Sequence, residues 1–220
     1  MTMGTRTVQC GIAVVAMAIS QAVSAATLTP ALDSVVFDPI ANNYIWSYTV
    51  SEDAAGRVTG GAVPGALEPA RSAPGDPDEE GLIADYFTIF DFGGYISGSA
   101  TTPAGWAFQS LLLGSRNVQH VVDDDASVPN LTWYYTGATA PGPFTQAGFS
   151  ARSVYGLPVA GEYAGEDTHN QAGEPADGDT DLSLGSISVP GPQQQLPEPG
   201  TAALAGLAAL GLLARRLRRR

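Results

Sequence analysis

Tyr44-Ile45-Trp46-Ser47-Tyr48-Thr49-Val50 sets a large side chain at every second position, so that Tyr44, Trp46, Tyr48 and Val50 share one face of an extended chain. Aromatic and β-branched residues fill the run, and these fit a half-buried pleated surface. Similar runs of four to nine residues recur at Ser34 to Phe37, Asp85 to Phe92, Gly105 to Leu113, Val118 to Val122, Leu131 to Thr136, Phe149 to Tyr155 and Leu182 to Val189. Gly, Pro, Asn or Asp clusters separate most of them. The 26 glycines and 16 prolines are too many for a helical body and suit numerous turns. No stretch of the body keeps a 3.6-residue apolar period. About eight short strands therefore predict an all-β ectodomain, an antiparallel β-sandwich with a jelly-roll-like arrangement or a partly closed barrel as its neighbours.

Around those strands the chain divides by composition. Residues 26–189 form the expected ectodomain, long enough for one core. Within it, 57–81 and 156–181 are rich in Gly, Pro, Ala and acids and read as long acidic loops. Residues 190–196, with Gln193, Gln194 and Gln195, read as a polar linker. The first 25 residues carry Arg6, then a mostly apolar run from Val8 to Ile19, then Val23-Ser24-Ala25. That order predicts a signal peptide cut by signal peptidase after Ala25, with Ala26 the alternative. Cys10 lies inside the apolar run, so the mature chain has no disulfide, thiolate nucleophile or thiolate metal site.

The opposite end has three parts in order: Pro197-Glu198-Pro199-Gly200-Thr201, then Ala202 to Ala214 made only of Ala, Gly and Leu, then Arg215, Arg216, Leu217, Arg218, Arg219 and Arg220. Thirteen apolar residues in a helix span about 20 Å, whereas a bilayer core is about 30 Å thick. Thr201, Leu217 and the stems of Arg215 and Arg216 lengthen the expected span of this short transmembrane helix. Five arginines with no acid among them form a basic stop that holds the C-terminus on the cytoplasmic side.

This tail resembles a PEP-CTERM sorting signal, the type found on secreted proteins of Gram-negative-type bacteria. The resemblance covers 197–220, with the hydrophobic helix at 202–214 and the basic tail at 215–220. It implies processing by an exosortase-like enzyme, a membrane-embedded transpeptidase-like cysteine enzyme. Pro197, Glu198, Pro199 and Gly200 would then be recognised by that enzyme and have no catalytic role of their own. A sortase signal has the same plan but needs Leu-Pro-x-Thr-Gly, and Pro199 stands where its threonine must be. More loosely, Trp46 to Val50, Phe87 to Phe92, Pro103 to Trp106 and Asn130 to Trp133 resemble recurring pieces of PEP-CTERM ectodomains, which implies no activity.

All ten basic residues are arginine, and only four lie between Ala26 and Leu196, against 21 acids, a net charge of −17. Such a body repels nucleic acid and anionic head groups and attracts divalent cations. Asp177-Gly178-Asp179-Thr180-Asp181 places carboxylates at alternate positions, as a calcium loop begins, so Asp177, Asp179 and Asp181 are the candidate calcium ligands. Leu182 and Ser188 replace the glycine and glutamate that such a loop requires, and solvated acidic loops are the simpler reading. Gly148-Phe149-Ser150-Ala151-Arg152 is the nearest approach to a nucleophile elbow, with arginine in place of the second glycine. His120 and His169 belong to no metal or catalytic spacing. The expectation is thus a non-enzymatic, cofactor-free, exported protein of the cell envelope or extracellular matrix, structural or adhesive, with exopolysaccharide as a candidate partner. A carbohydrate-binding or carbohydrate-active β-sandwich delivered by the same route is the alternative.

Overall fold

A computed structural model describes residues 27–66, 83–117, 119–170, 172 and 177–192. The signal peptide, the C-terminal helix and the whole sorting motif lie outside the described residues. Ten strands follow in order: β1 Thr29–Asp38, β2 Asn43–Glu52, β3 Gly56–Val58, β4 Tyr86–Ile89, β5 Trp106–Leu111, β6 Asn130–Tyr135, β7 Ala140–Pro141, β8 Phe144–Ser153, β9 Leu157–His169 and β10 Thr180–Gly191. All strand pairings between them are antiparallel, and the described residues contain no helix.

The strands form two sheets. The first has the order β1-β2-β8. The second has seven strands, running β5-β6-β4-β9, with β10 along one edge of β9 and β3, itself paired with β7, following β4 along the other. Trp46, Tyr48 and Val50 turn inward from the first sheet and are fully or almost fully buried, as their alternation predicts. Phe149 joins them from β8, and Phe87, Trp106 and Trp133 meet it from the second sheet. Buried ring polar groups find acceptors: Trp46 Nε1 donates to Tyr155 O (2.9 Å), Trp133 Nε1 to Thr101 O (3.1 Å), and Tyr48 Oη to Ser188 O (3.0 Å). The last of these ties β2 to β10 across the two sheets.

Irregularities in the first sheet have local causes. Tyr48 pairs with Phe149 but Thr49 pairs with Ala147, leaving Gly148 as the extra residue of a bulge. Its φ of +102° is strained for any residue with a Cβ, and the bulge keeps Phe149 on the inward face. A register shift between Leu32 and Ser34 leaves exposed Asp33 as the extra residue on edge strand β1, where a charge discourages pairing with another chain. At the turn from β1 to β2, Asp38 Oδ1 accepts from Ile40 N (3.0 Å) and Ala41 N (3.1 Å), while Arg152 Nη1 donates to Asp38 Oδ2 (2.7 Å) and Asn43 Oδ1 (2.8 Å). The Arg152 bond, then those from the backbone, holds the Asp38 carboxyl below its ordinary pKa.

Three sequence expectations are corrected. Residues 156–181 are no loop, because β9 fills half of the stretch and β10 begins within it. The signal was hidden by glycine: a Cβ at Gly161 would approach Val189 Cγ2 at 2.7 Å, and one at Gly165 would come to 2.7 Å from Leu28 O. Those close approaches demand glycine and erase the apolar pattern. Of the expected strand Val118 to Val122, the described residues 119–122 are no strand, since Asn117 Oδ1 accepts from Gln119 N (3.0 Å) and Asn117 O from His120 N (2.9 Å), turning the chain there. The expected linker also starts later, because Pro190 and Gly191 complete β10 against Pro158 and Leu157.

Candidate functional site

The alternation that buries Trp46, Tyr48 and Val50 runs on to Glu52, so a carboxyl at the end of β2 points inward. Three further acids are buried at the same end of the molecule: Asp85 just before β4, and Glu166 and Asp167 on β9. Asp85 is held by donors. Its Oδ2 accepts from Thr59 N (2.6 Å), Thr59 Oγ1 (2.9 Å) and Thr168 Oγ1 (3.0 Å), linking the chain after β3 to β4 and β9. Tyr86 Oη points to Glu166 Oε2 at 3.4 Å, a long contact.

Glu52 and Asp167 are held differently. They face each other beside Gly56, where an added Cβ would overlap Glu52 Oε1 and lie 2.8 Å from Asp167 Oδ2. Glu52 Oε2 and both carboxyl oxygens of Asp167 have no hydrogen-bond donor among the described residues. Glu52 has one donor, Asp53 N to its Oε1 (3.1 Å), and Asp167 has none among the described residues, so the two buried carboxyls cannot both carry charge and the pair retains a proton. Burial is the first cause that raises both pKa values; the negative charge of Asp53 adds to the effect on Glu52, and that of Asp85 to the effect on Asp167. Chemically the pair is a proton-holding clasp between the end of β2 and the end of β9. Gly56→Ala is expected to push the two carboxyls apart and to lower stability by about 1–3 kcal/mol, as overpacking does. The urea midpoint of unfolding measures it, and an unchanged midpoint would show that the two carboxyls are not seated against Gly56.

The candidate calcium ligands are not gathered into one site. Arg57 Nη1 donates to Asp177 Oδ1 (2.8 Å), Asp181 Oδ2 lies 2.8 Å from His169 Nδ1, and Asp179 O accepts from His169 N (2.7 Å). Asp177 and Asp181 thus serve different partners as the chain turns from β9 into β10. Among the described residues no group of three or more His, Cys, Asp or Glu side chains is placed to hold a metal. Ser150 sits within β8, paired with Ser47 and 2.7 Å from Thr101 Oγ1, not on an exposed turn. His120 is buried, its Nδ1 has no partner among the described residues, and burial lowers its pKa. Asp123, Asp124 and Asp125 anchor the segment between β5 and β6: Arg116 Nη1 donates to Asp124 Oδ2 (2.9 Å), and Asn130 Nδ2 to Asp124 Oδ1 (2.8 Å).

Sequence reasoning missed the buried acids. Glu52 was legible, two residues beyond the alternation that ends at Val50. Asp85 and Glu166-Asp167 were not, because Asp85 opens an expected strand with no sign of which face it takes, and Glu166-Asp167 between Gly165 and Thr168 reads as surface.

The remaining site is the tail. Strand β10 ends at Gly191, and Pro192 is the last described residue, so the sorting residues Pro197, Glu198, Pro199 and Gly200, the basic stop Arg215, Arg216, Arg218, Arg219 and Arg220, and the cleavage residues Ala25 and Ala26 all lie outside the described residues. Residues 195–220 match the family model of the PEP-CTERM protein-sorting motif. The chain carries a PEP-CTERM sorting motif. It follows that the protein is exported, sorted by an exosortase-like enzyme, and held at the membrane or cell surface. No helix among the described residues is long and apolar enough to cross a membrane. No curated protein and no solved structure matches the chain. The PEP-CTERM motif thus gives the route, and the ectodomain must be read from its own surface.

Proposed function

We propose that this PEP-CTERM protein is a structural or adhesive component of the cell envelope or extracellular matrix, with no catalytic step of its own. The observation that carries the reading is where the aromatic rings lie. Glycan-binding faces expose aromatic rings for sugars to stack on, but here Trp46, Trp106 and Trp133 are all buried and, among the described residues, Phe37 is the one exposed aromatic side chain. Glu52 and Asp167, the two buried carboxyls that face each other beside Gly56, are 3% and 0% exposed, which denies them the access to a polymer that hydrolysis by a carboxyl pair requires.

Peptide mass spectrometry of the native protein, combined with fractionation of its own cells, tests the route. The expected mature chain begins at Ala26 or Thr27, ends within Pro197 to Gly200, and is recovered with the surface or matrix fraction. Recovery of Leu217 and the terminal arginines on a membrane-bound chain would sink tail removal. For the role, electrophoresis through gels containing the cell's own exopolysaccharide is expected to show no retardation by stacking-type binding; strong retardation relieved by free oligosaccharide would favour the carbohydrate-binding alternative.

A further inference from the structure

The ectodomain is unlike at its two ends. Glu52, Asp85, Glu166, Asp167 and Asp181 stand at one end, where β2 and β9 finish and β10 begins. The other end holds the turn from β1 to β2, the start of β9 and the finish of β10, where Leu157 pairs with Gly191. Among the described residues, five of the ten exposed large apolar side chains gather there: Val36, Phe37, Ile40, Val154 and Leu157.

Contacts and register place them together. Phe37 packs on Tyr44 with ring centroids 5.1 Å apart, and Tyr44 lies against Gly156, the residue before Leu157. Val154 N donates to Gly94 O (3.0 Å), and an added Cβ at Gly94 would come within 2.6 Å of Val154 Cγ2. Ile40 projects from the turn, 96% exposed with no local packing role. Asp38 is offset by Arg152 at 2.7 Å, while Asp91, whose Oδ1 accepts from Asp125 N (3.0 Å), and Asp123, whose N donates to Glu162 Oε2 (3.2 Å), add acids on the β4–β6 side of this end.

This apolar end is also where the chain leaves the fold. Nine residues, 193–201, separate Pro192 from the Ala/Gly/Leu run. Nine residues reach at most about 30 Å even when fully extended, no farther than the roughly 30 Å length of ten-residue β2. A domain tethered so closely turns its exit end to the bilayer, and there the effective concentration of lipid makes even a weak apolar contact persist.

We propose that, while the tail anchors the chain, the end bearing Phe37, Ile40, Val154 and Leu157 rests on the lipid surface, with Ile40 entering the head-group layer. The end with the buried acids Glu52, Asp85, Glu166 and Asp167 then faces away from the membrane, and residues 193–201 are presented at the depth where a membrane-embedded processing enzyme works. The inference rests on the reading that the tail holds the chain in the membrane.

The full chain, carrying Cys10→Ser and a single environment-sensitive fluorophore at Ile40→Cys, would be reconstituted in phosphatidylcholine vesicles with and without nitroxide lipid. An otherwise identical chain labelled at Ala54→Cys, an exposed position beyond the far end of β2, is the comparison. Both sites are exposed, so neither label disturbs packing. The expected result is several-fold stronger quenching and a blue-shifted emission at position 40 relative to position 54. Chains that float with the vesicles but are quenched equally weakly at both positions would overturn the docking while leaving the anchor intact. Chains that fail to float would overturn the anchor and the docking with it.

Discussion

Phe149→Ala is expected to lower the stability of the ectodomain by about 3–5 kcal/mol, the range for removing a large aromatic side chain from a packed core. Phe149 is fully buried and belongs to the three-stranded sheet, yet its ring contacts are with the other sheet. Its centroid lies 5.1 Å from Phe87, 5.1 Å from Trp106 and 6.0 Å from Trp133, each at a near-perpendicular interplanar angle. Phe87 stacks in turn on its cross-strand partner Trp133 at 5.4 Å. The ring is therefore a plug between the sheets, and no neighbour on β8 can slide in to fill the space, because the Gly148 bulge fixes the register. Domains are stable by about 5–15 kcal/mol in all, so the loss takes a large share. A thermal melt followed by near-ultraviolet circular dichroism should show the midpoint falling by on the order of 10 °C. Leu184→Ser, on an exposed face of β10, should change it little. A loss below about 1 kcal/mol for Phe149→Ala would show that the sheets are not joined through this ring.

The sequence made the inward face of β2 readable because the alternation there is unbroken from Tyr44 to Val50, and its consequence, a sheet buried on one side, needs no knowledge of partners. Much of the rest depends on partners. Strand β9 is buried along its C-terminal half and is paired on both edges, so it needs small residues and tolerates polar ones that find mates across the sheet, as Thr168 finds Asp85. Written out alone, Gly165-Glu166-Asp167-Thr168-His169 reads as a solvated loop. The same dependence misleads in the opposite sense at Val118 to Val122, where β-branched residues suggest a strand but Val121 is 89% exposed. Asp177, Asp179 and Asp181 alternate as calcium ligands do, yet Arg57 from β3 and His169 from β9 claim two of them, and neither neighbour is near in sequence. The sorting tail was legible for the reverse reason. Its recognition depends on the order of local features and on no tertiary contact.

Between pH 7 and 9 the ectodomain should lose stability as pH rises, and Asp167→Asn should remove most of that slope. Burial, together with the neighbouring carboxyls, raises Glu52 to about 7 and Asp167 to about 11. In the unfolded chain both return to the ordinary carboxyl range near about 4. Below that range both states are protonated and the pair makes no difference. Above it the unfolded chain releases protons that the folded chain keeps, so the folded state binds more protons and its stability falls with pH until its own raised values are passed. From pH 7 to 9 Glu52 is passing through its transition while Asp167 still holds a proton, and one retained proton costs about 1.4 kcal/mol per pH unit, on the order of 3 kcal/mol over the window. His120 acts with the opposite sign, since burial lowers its pKa, but its effect is confined to pH below the ordinary histidine value of about 6.5 and leaves this window clear. Asparagine matches aspartate in shape, carries no charge at any pH, and can donate to Glu52, so the variant should be more stable than the native chain at pH 9. Urea unfolding at pH 7, 8 and 9 measures both slopes. Equal slopes would mean that the retained proton does not reside on this pair, and Glu52 and Asp167 would have to be neutralised in some other way to remain buried face to face.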